Sequence, residues 1–192
     1  MNQQFADSAK LDEFATAVVC TFFSPTRSLQ FCNAGHPIPF LYRAQSDHWA
    51  LASGVAQVER ADGIADTPLG ALDEAEYSRF EVKLEPGDMV MCVSDAFTES
   101  CSMDGKMLGV DGLLGLVQKL DVSHPETLVQ QLTERITHEQ GDNLKKDDAT
   151  VLLFRADGSS PSLTSDLLSP IRLLRGVRDA PDSHQNDRVF SL

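Results

Sequence analysis

No C-x-x-C pair occurs among the four cysteines, Cys20, Cys32, Cys92 and Cys101. A thiolate zinc centre needs more ligands at closer spacing, so these residues do not form one. Three of them sit in strand-like apolar contexts, where a reduced cysteine acts as a small hydrophobe. Cys20 and Cys32 fall on consecutive predicted strands, so a bridge between them is conceivable, but a reducing compartment disfavours it. Also missing is any apolar run of the ~18–20 residues needed to cross a bilayer. The opening stretch MNQQFADSAK has neither the basic nor the apolar region of a secretory leader. These absences predict a cytoplasmic protein without a membrane partner. Positive charge is scarce: 16 Lys and Arg stand against 29 Asp and Glu, for a formal net charge of -13 and a pI near 4.6. Nucleic-acid affinity comes mainly from cations that neutralise phosphates, so no nucleic-acid surface is expected. The acidity suits a protein that gathers cations, but solubility alone also explains it. No Ser-His-Asp or Cys-His set, no Gly-rich phosphate loop, no internal repeat and no low-complexity tract is present.

What is there is a chain of 192 residues, enough for one domain with a core and a tail. Residues 2–10 are polar and read as the end of a helix. FATAVVCTFF (14–23) and SLQFCNAG (28–35), joined by SPTR, read as an antiparallel hairpin with Pro25 at the second turn position. HPIPFLYR (36–43) reads as a short edge-like strand because of its prolines, with HWALAS (48–53) as its partner. Residues 54–75 read as a loop. RFEVKL (79–84) alternates, placing Phe80, Val82 and Leu84 on one face and Glu81 and Lys83 on the other. EPGD (85–88) is a turn in which Gly87 is free to adopt positive φ. MVMCVSD (89–95) does not alternate, which predicts a central strand covered on both faces. Residues 110–120 and 123–139 carry helical apolar stripes, the second opening on a capping-box spacing, Ser123 and Glu126. DDATVLLF (147–154) reads as a last buried strand. The segment 156–192 is rich in Ser, Asp, Pro and Arg and reads as a disordered tail with one apolar island at 167–174. The order hairpin, strands, helix, helix, strand predicts an α+β domain of antiparallel sheet packed against helices over residues 1–155.

Two apolar strands are joined to acids. Asp95 ends one; Asp147 and Asp148 begin the other. If the strands are antiparallel neighbours, the three carboxylates share one rim. Carboxylates brought together must protonate or hold a cation, and Mg2+ or Mn2+ prefers such oxygen-rich settings. The plainer alternative is that each caps a turn or faces water, and Glu99 nearby reads as a solvated loop residue. His36, in NAGHP with Asn33, Gly35 and Pro37, reads as a hydrogen-bonding turn residue.

Five stretches together resemble one family: FATAVVCTFFSPTRSLQFCNAGHPIPFLYR, TPLGAL, LEPGDMVMCVSDAFTES, LGVDGLLGLV and DDATVLLF occur in the order found in the SpoIIE/RsbU branch of PP2C-like (PPM-type) serine/threonine phosphatases. The resemblance covers about residues 1–155. It implies an α-β-β-α layered sandwich of antiparallel sheets flanked by helices. It also implies a dinuclear Mn2+ or Mg2+ centre whose water attacks the phosphorus of phosphoserine or phosphothreonine in line. Implied partners are a phosphorylated regulatory protein of the anti-sigma-factor antagonist type and a sensor or receiver domain on a longer or separate chain. Asp95, Asp147 and Asp148 match the family's metal-binding stretches. Asn33, Gly35, His36 and Gly70 match signature positions with an expected structural role. Ala96 stands where the family has Gly; if the position requires positive φ, Ala costs about 1 kcal/mol or more. The family's earlier acidic strand and Asp-Gly signature have no counterpart, and Asp7 and Asp12 lack that context. The fold is therefore expected to be N-terminally incomplete, the ligand set partial and phosphate-ester hydrolysis by this chain alone very poor. A fragment of a longer phosphatase is the reading preferred here. The alternative is a non-catalytic partner-binding module on the same fold, and a weaker one is a cation-binding domain without phosphoryl chemistry.

Overall fold

The computed structural model describes residues 2–3, 14–55, 57–59, 66–145 and 147–158, all within the compact unit Met1–Ser159; the second unit, Ser160–Leu192, lies outside the described residues. The island at 167–174, Asp7, Asp12 and most of the polar stretch 2–10 also fall outside them.

β1 (Ala17–Phe23) and β2 (Ser28–Ala34) form the expected hairpin, with Phe23 opposite Ser28 across the Ser24–Arg27 turn. β2 also pairs with β6 (Arg79–Lys83), which pairs with β5 (Gln57–Glu59), giving a sheet in the order β1-β2-β6-β5. β3 (Phe40–Arg43), β4 (His48–Leu51), β7 (Met89–Val93) and β8 (Val151–Arg155) build a second sheet in the order β4-β3-β7-β8. Every pairing is antiparallel. The segment expected to be loop over 54–75 instead contains the end of a short helix, α1 (Ala52–Val55), and β5. Weak local propensity there yields to the open edge of β6, whose backbone groups need partners.

The two sheets lie face to face. Leu29, Phe31 and Val82 from the first meet Leu41 and Val90 from the second, with Leu84, Ala52 and Ala156 closing the same core. Phe31 and Phe80 stack within the first sheet, their ring centroids 4.9 Å apart. The outward side of the second sheet carries Phe40, Tyr42, Trp49, Met89, Met91 and Val93. α2 (Asp95–Thr98), α3 (Gly109–Val117) and α4 (Leu128–Glu139) add Phe97, Leu113, Val117, Leu132 and Ile136 to that side. β7 is thus covered on both faces, which is why its sequence does not alternate.

Three expectations need correction. β3 is not an edge strand: it lies between β4 and β7. Pro37 and Pro39 precede its first residue, so they remove no donor from its ladder. β8 is not buried: it is the edge of its sheet, and Leu152 stays 62% exposed. The capping box at Ser123 and Glu126 does not form. The Ser123 hydroxyl donates instead to Asp121 at 2.6 Å, and a 3₁₀ turn over Pro125–Thr127 leads into α4. A nearby carboxylate is the stronger acceptor.

Candidate functional site

β7 and β8 run antiparallel with Val93 opposite Val151. The ladder continues one residue further, where the Ser94 N–H donates to the Thr150 carbonyl at 2.9 Å. The Ser94 side chain completes the junction. Its Oγ accepts from the Thr150 N–H at 3.0 Å and donates to the Asp148 carbonyl at 3.1 Å. The chain leaving β7 at Asp95 therefore lies beside the chain entering β8 at Asp147 and Asp148. Antiparallel pairing joins the end of one strand to the start of its neighbour, so this juxtaposition follows from topology.

Asp95 opens α2, and its Oδ1 accepts from the Ala96 N–H at 3.1 Å. Asp147 Oδ1 likewise accepts from the Asp148 N–H at 2.8 Å. All three carboxylates are exposed. Ala96 is helical and buried, and its φ is not among the positive values found at Arg27, Asp47, Asp66 and Leu144. The conditional cost attached to Ala at this position does not arise.

A cleft of about 130 Å³ opens between α2 and the segment after α4. Glu99, Asp142 and Asp147 line it with Ser100, Gln140 and Asn143. Glu99 caps α2, its N–H donating to the Asp95 carbonyl at 2.8 Å, so it is held rather than loose. Among the described residues, no three His, Cys, Asp or Glu groups come close enough together to hold one metal ion. Hard divalent cations take six or more oxygens. The described residues therefore do not by themselves make a complete cation cage.

Two residues that sequence reasoning passed over organise this rim. Ser94 ties β7 to the Asp147–Thr150 segment. Buried Asn143 donates from Nδ2 to the carbonyls of Cys101 and Ile136, both at 2.8 Å, and accepts from the Cys101 N–H at 2.9 Å. It thereby fixes the chain between α4 and Asp147 against the loop after α2. A hydroxyl just before a strand-end Asp was a readable signal for Ser94. Nothing local marks Asn143, because its partners lie up to 42 residues away.

The NAGHP turn is built by Asn33, whose side-chain amide donates to the His36 carbonyl and accepts from the His36 N–H, both at 2.8 Å. Gly35 has φ +68, and a Cβ there would sit 2.6 Å from Pro68 Cγ and 2.9 Å from the Pro68 backbone nitrogen. Only glycine fits that approach. His36 Nδ1 lies 3.2 Å from Thr16 Oγ1, and the Gly70 N–H donates to Asn2 Oδ1 at 2.8 Å.

Facing antiparallel sheets with helices on an outer side and acids at the β7–β8 end have the fold of PP2C-type phosphatase domains. The structure superposes on the phosphatase domain of the cell fate determinant SpoIIE from Bacillus subtilis, presoaked with Mn, with a TM-score of 0.58 at 18% identity, over 83% of this chain and 65% of that one. The RsbU and RsbW domains of a Mycobacterium tuberculosis protein match with a TM-score of 0.62 at 18% identity, over 92% of this chain and 48% of that one. The SiaA-PP2C domain of Pseudomonas aeruginosa matches with a TM-score of 0.60 at 19% identity, over 80% of this chain and 56% of that one. The chain thus spans less than two thirds of each of these solved relatives. A search among curated protein sequences found no match. The family model for stage II sporulation protein E matches residues 1–157, and the chain belongs to this SpoIIE family.

No helix among the described residues is long and apolar enough to cross a membrane.

Proposed function

We propose that this chain is part of a metal-dependent protein serine/threonine phosphatase that removes phosphate from phosphoserine or phosphothreonine on a regulatory protein of the anti-sigma-factor antagonist type. Asp95 and Asp147, with Asp148 beside them, are its contribution to a Mn2+ or Mg2+ site. The observation that carries the reading is the β7–β8 pairing, which sets Asp95 beside Asp147 and Asp148 through Ser94. Family membership supports the phosphatase class. The role of these residues is to present oxygen ligands on one rim: Asp95 opens α2, and Asp147 and Asp148 lie at the entry to β8, which Ser94 ties to β7. The described residues supply only part of an oxygen set, and slow turnover of phosphate esters by the chain is the expected outcome. A sensor or receiver domain and the phosphoprotein itself would be its partners.

Calorimetric titration of the purified chain with Mn2+ tests this. Weak binding is expected, lost in Asp95→Asn and in Asp147→Asn while the circular dichroism spectrum is kept. Mn2+ binding indifferent to both substitutions would remove these residues from the site. Robust hydrolysis of an aryl phosphate with Mn2+, abolished by Asp95→Asn, would show that the chain needs no further ligands.

A further inference from the structure

Cys20 and Cys92 belong to different sheets, yet their side chains enter the same gap. Strand register sets this. Cys20 stands opposite Phe31, which is buried between the sheets. Cys92 alternates with Met91 and Val93, which face the helices, and so points the other way, packing against the inter-sheet core. β1 is the edge of its sheet, and β7 lies one strand in from the edge of the other, beside β8; there Phe22 of β1 and Phe154 of β8 bring their ring centroids within 5.3 Å. The pleat sends Cys32 to the opposite face, beside Val19, which is 46% exposed. A bridge between Cys20 and Cys32 is therefore excluded by geometry, although the two strands are neighbours.

The thiols of Cys20 and Cys92 lie close enough to perturb each other. Hydrogen bonding from Cys92 lowers the Cys20 thiol to about 7, against the opposing effect of burial. The same interaction, with burial, pushes Cys92 up. Cys20 is also exposed, whereas Cys92 is half-buried. An accessible low-pKa thiol beside a second cysteine is the arrangement that oxidants select.

We propose that Cys20 and Cys92 form a redox modification site, closing into an inter-sheet disulfide when the protein meets hydrogen peroxide. The Cys20 thiolate attacks one peroxide oxygen. The O–O bond breaks, hydroxide leaves and is protonated to water, and Cys20 becomes a sulfenic acid. The Cys92 sulfur, giving up its proton, attacks the Cys20 sulfur. The S–O bond breaks, a second water leaves and the S–S bond forms. Two thiols lose two electrons and two protons in all, and the peroxide is reduced to two waters. The bond requires Cα atoms about 4.4–6.8 Å apart, a span that disulfides bridge between the sheets of immunoglobulin-type sandwiches. Cys92 precedes Asp95 by three residues, so the crosslink clamps the strand that carries the carboxylate rim. The proposal itself does not depend on what that rim does.

The test is mild peroxide treatment of the full chain, alkylation of the remaining thiols and peptide mapping by tandem mass spectrometry without reduction. The expected result is a loss of two hydrogens from the intact mass and a linked Cys20–Cys92 peptide, both reversed by dithiothreitol. Cys20→Ser and Cys92→Ser should each abolish the link, and Cys32→Ser and Cys101→Ser should keep it. Cys20 lies on an exposed strand, so its serine variant reports even if a change at Cys92 unfolds the chain. Sulfinic acid on Cys20 with Cys92 still free, or a link that uses Cys32 or Cys101, overturns the proposal.

Discussion

Single residues hold the candidate rim together, and they do so by satisfying backbone groups at a distance. Asn143 illustrates the energetics. Its side chain makes three hydrogen bonds of 2.8–2.9 Å to backbone groups from α4 and from the loop after α2. Replacing it with Ala leaves the Ile136 and Cys101 groups without those partners in a site where Asn143 itself is only 8% exposed. Each unsatisfied buried group costs about 1–3 kcal/mol. Asn143→Ala is therefore expected to lower the unfolding free energy by roughly 2–4 kcal/mol, read from urea melts. A loss below about 0.5 kcal/mol would mean that water replaces the amide. Such residues also mark the limit of reading a sequence. Asp95, Asp147 and Asp148 could be singled out because acids at the ends of apolar strands are unusual. Asn143 could not, because polar residues after a helix are ordinary and its value lies in partners that only the tertiary fold supplies.

Elements were legible to the degree that their surroundings were simple. β7 announced itself through an unbroken apolar run, since both its faces are covered. β8 carries a similar run, VLLF, yet it ends as an edge strand with Val151 and Leu153 packed against the helix-side core, Leu152 62% exposed and Phe154 37% exposed. Composition records how apolar a strand is, not how many neighbours it finds. β3 went the other way: its prolines suggested an edge, but they stop before the ladder begins. In α4 the periodic stripe identified the helix, and its apolar residues differ in burial. Leu128, Leu132 and Ile136 are fully buried, and Val129 is 38% exposed. The difference is measurable. Leu132→Ala should destabilise by about 2–5 kcal/mol through lost transfer energy and the cavity left behind. Val129→Ala should change stability by less than about 0.5 kcal/mol, as most surface substitutions do, with alanine's better helix propensity offsetting lost contact. Equal losses at the two positions in thermal or denaturant melts would place α4 in a different rotation from the one described.

At the scale of the whole molecule the dominant fact is charge. With a formal net charge of -13, the folded chain repels itself, and the described ion pairs oppose this only locally. Most of those pairs are surface contacts of small value. The exception is Asp88, whose side chain is 3% exposed and whose Oδ2 lies 2.7 Å from Arg43 Nη1, anchoring the turn before β7. Raising ionic strength from ~0.01 to ~0.15 M shortens the screening length from about 30 to about 8 Å, which weakens long-range repulsion far more than the 2.7 Å contact. The melting temperature should therefore rise with NaCl over that range; a fall would show that ion pairs outweigh repulsion. The same experiment separates screening from specific binding. MgCl2 at matched ionic strength should stabilise beyond NaCl, because a ligand that binds only the folded state adds to its stability. That excess should vanish in Asp95→Asn and Asp147→Asn, each of which removes only one unit of the net charge. If the excess survived in both variants, Mg2+ would be acting on the diffuse acidity of the chain rather than at the junction of β7 and β8.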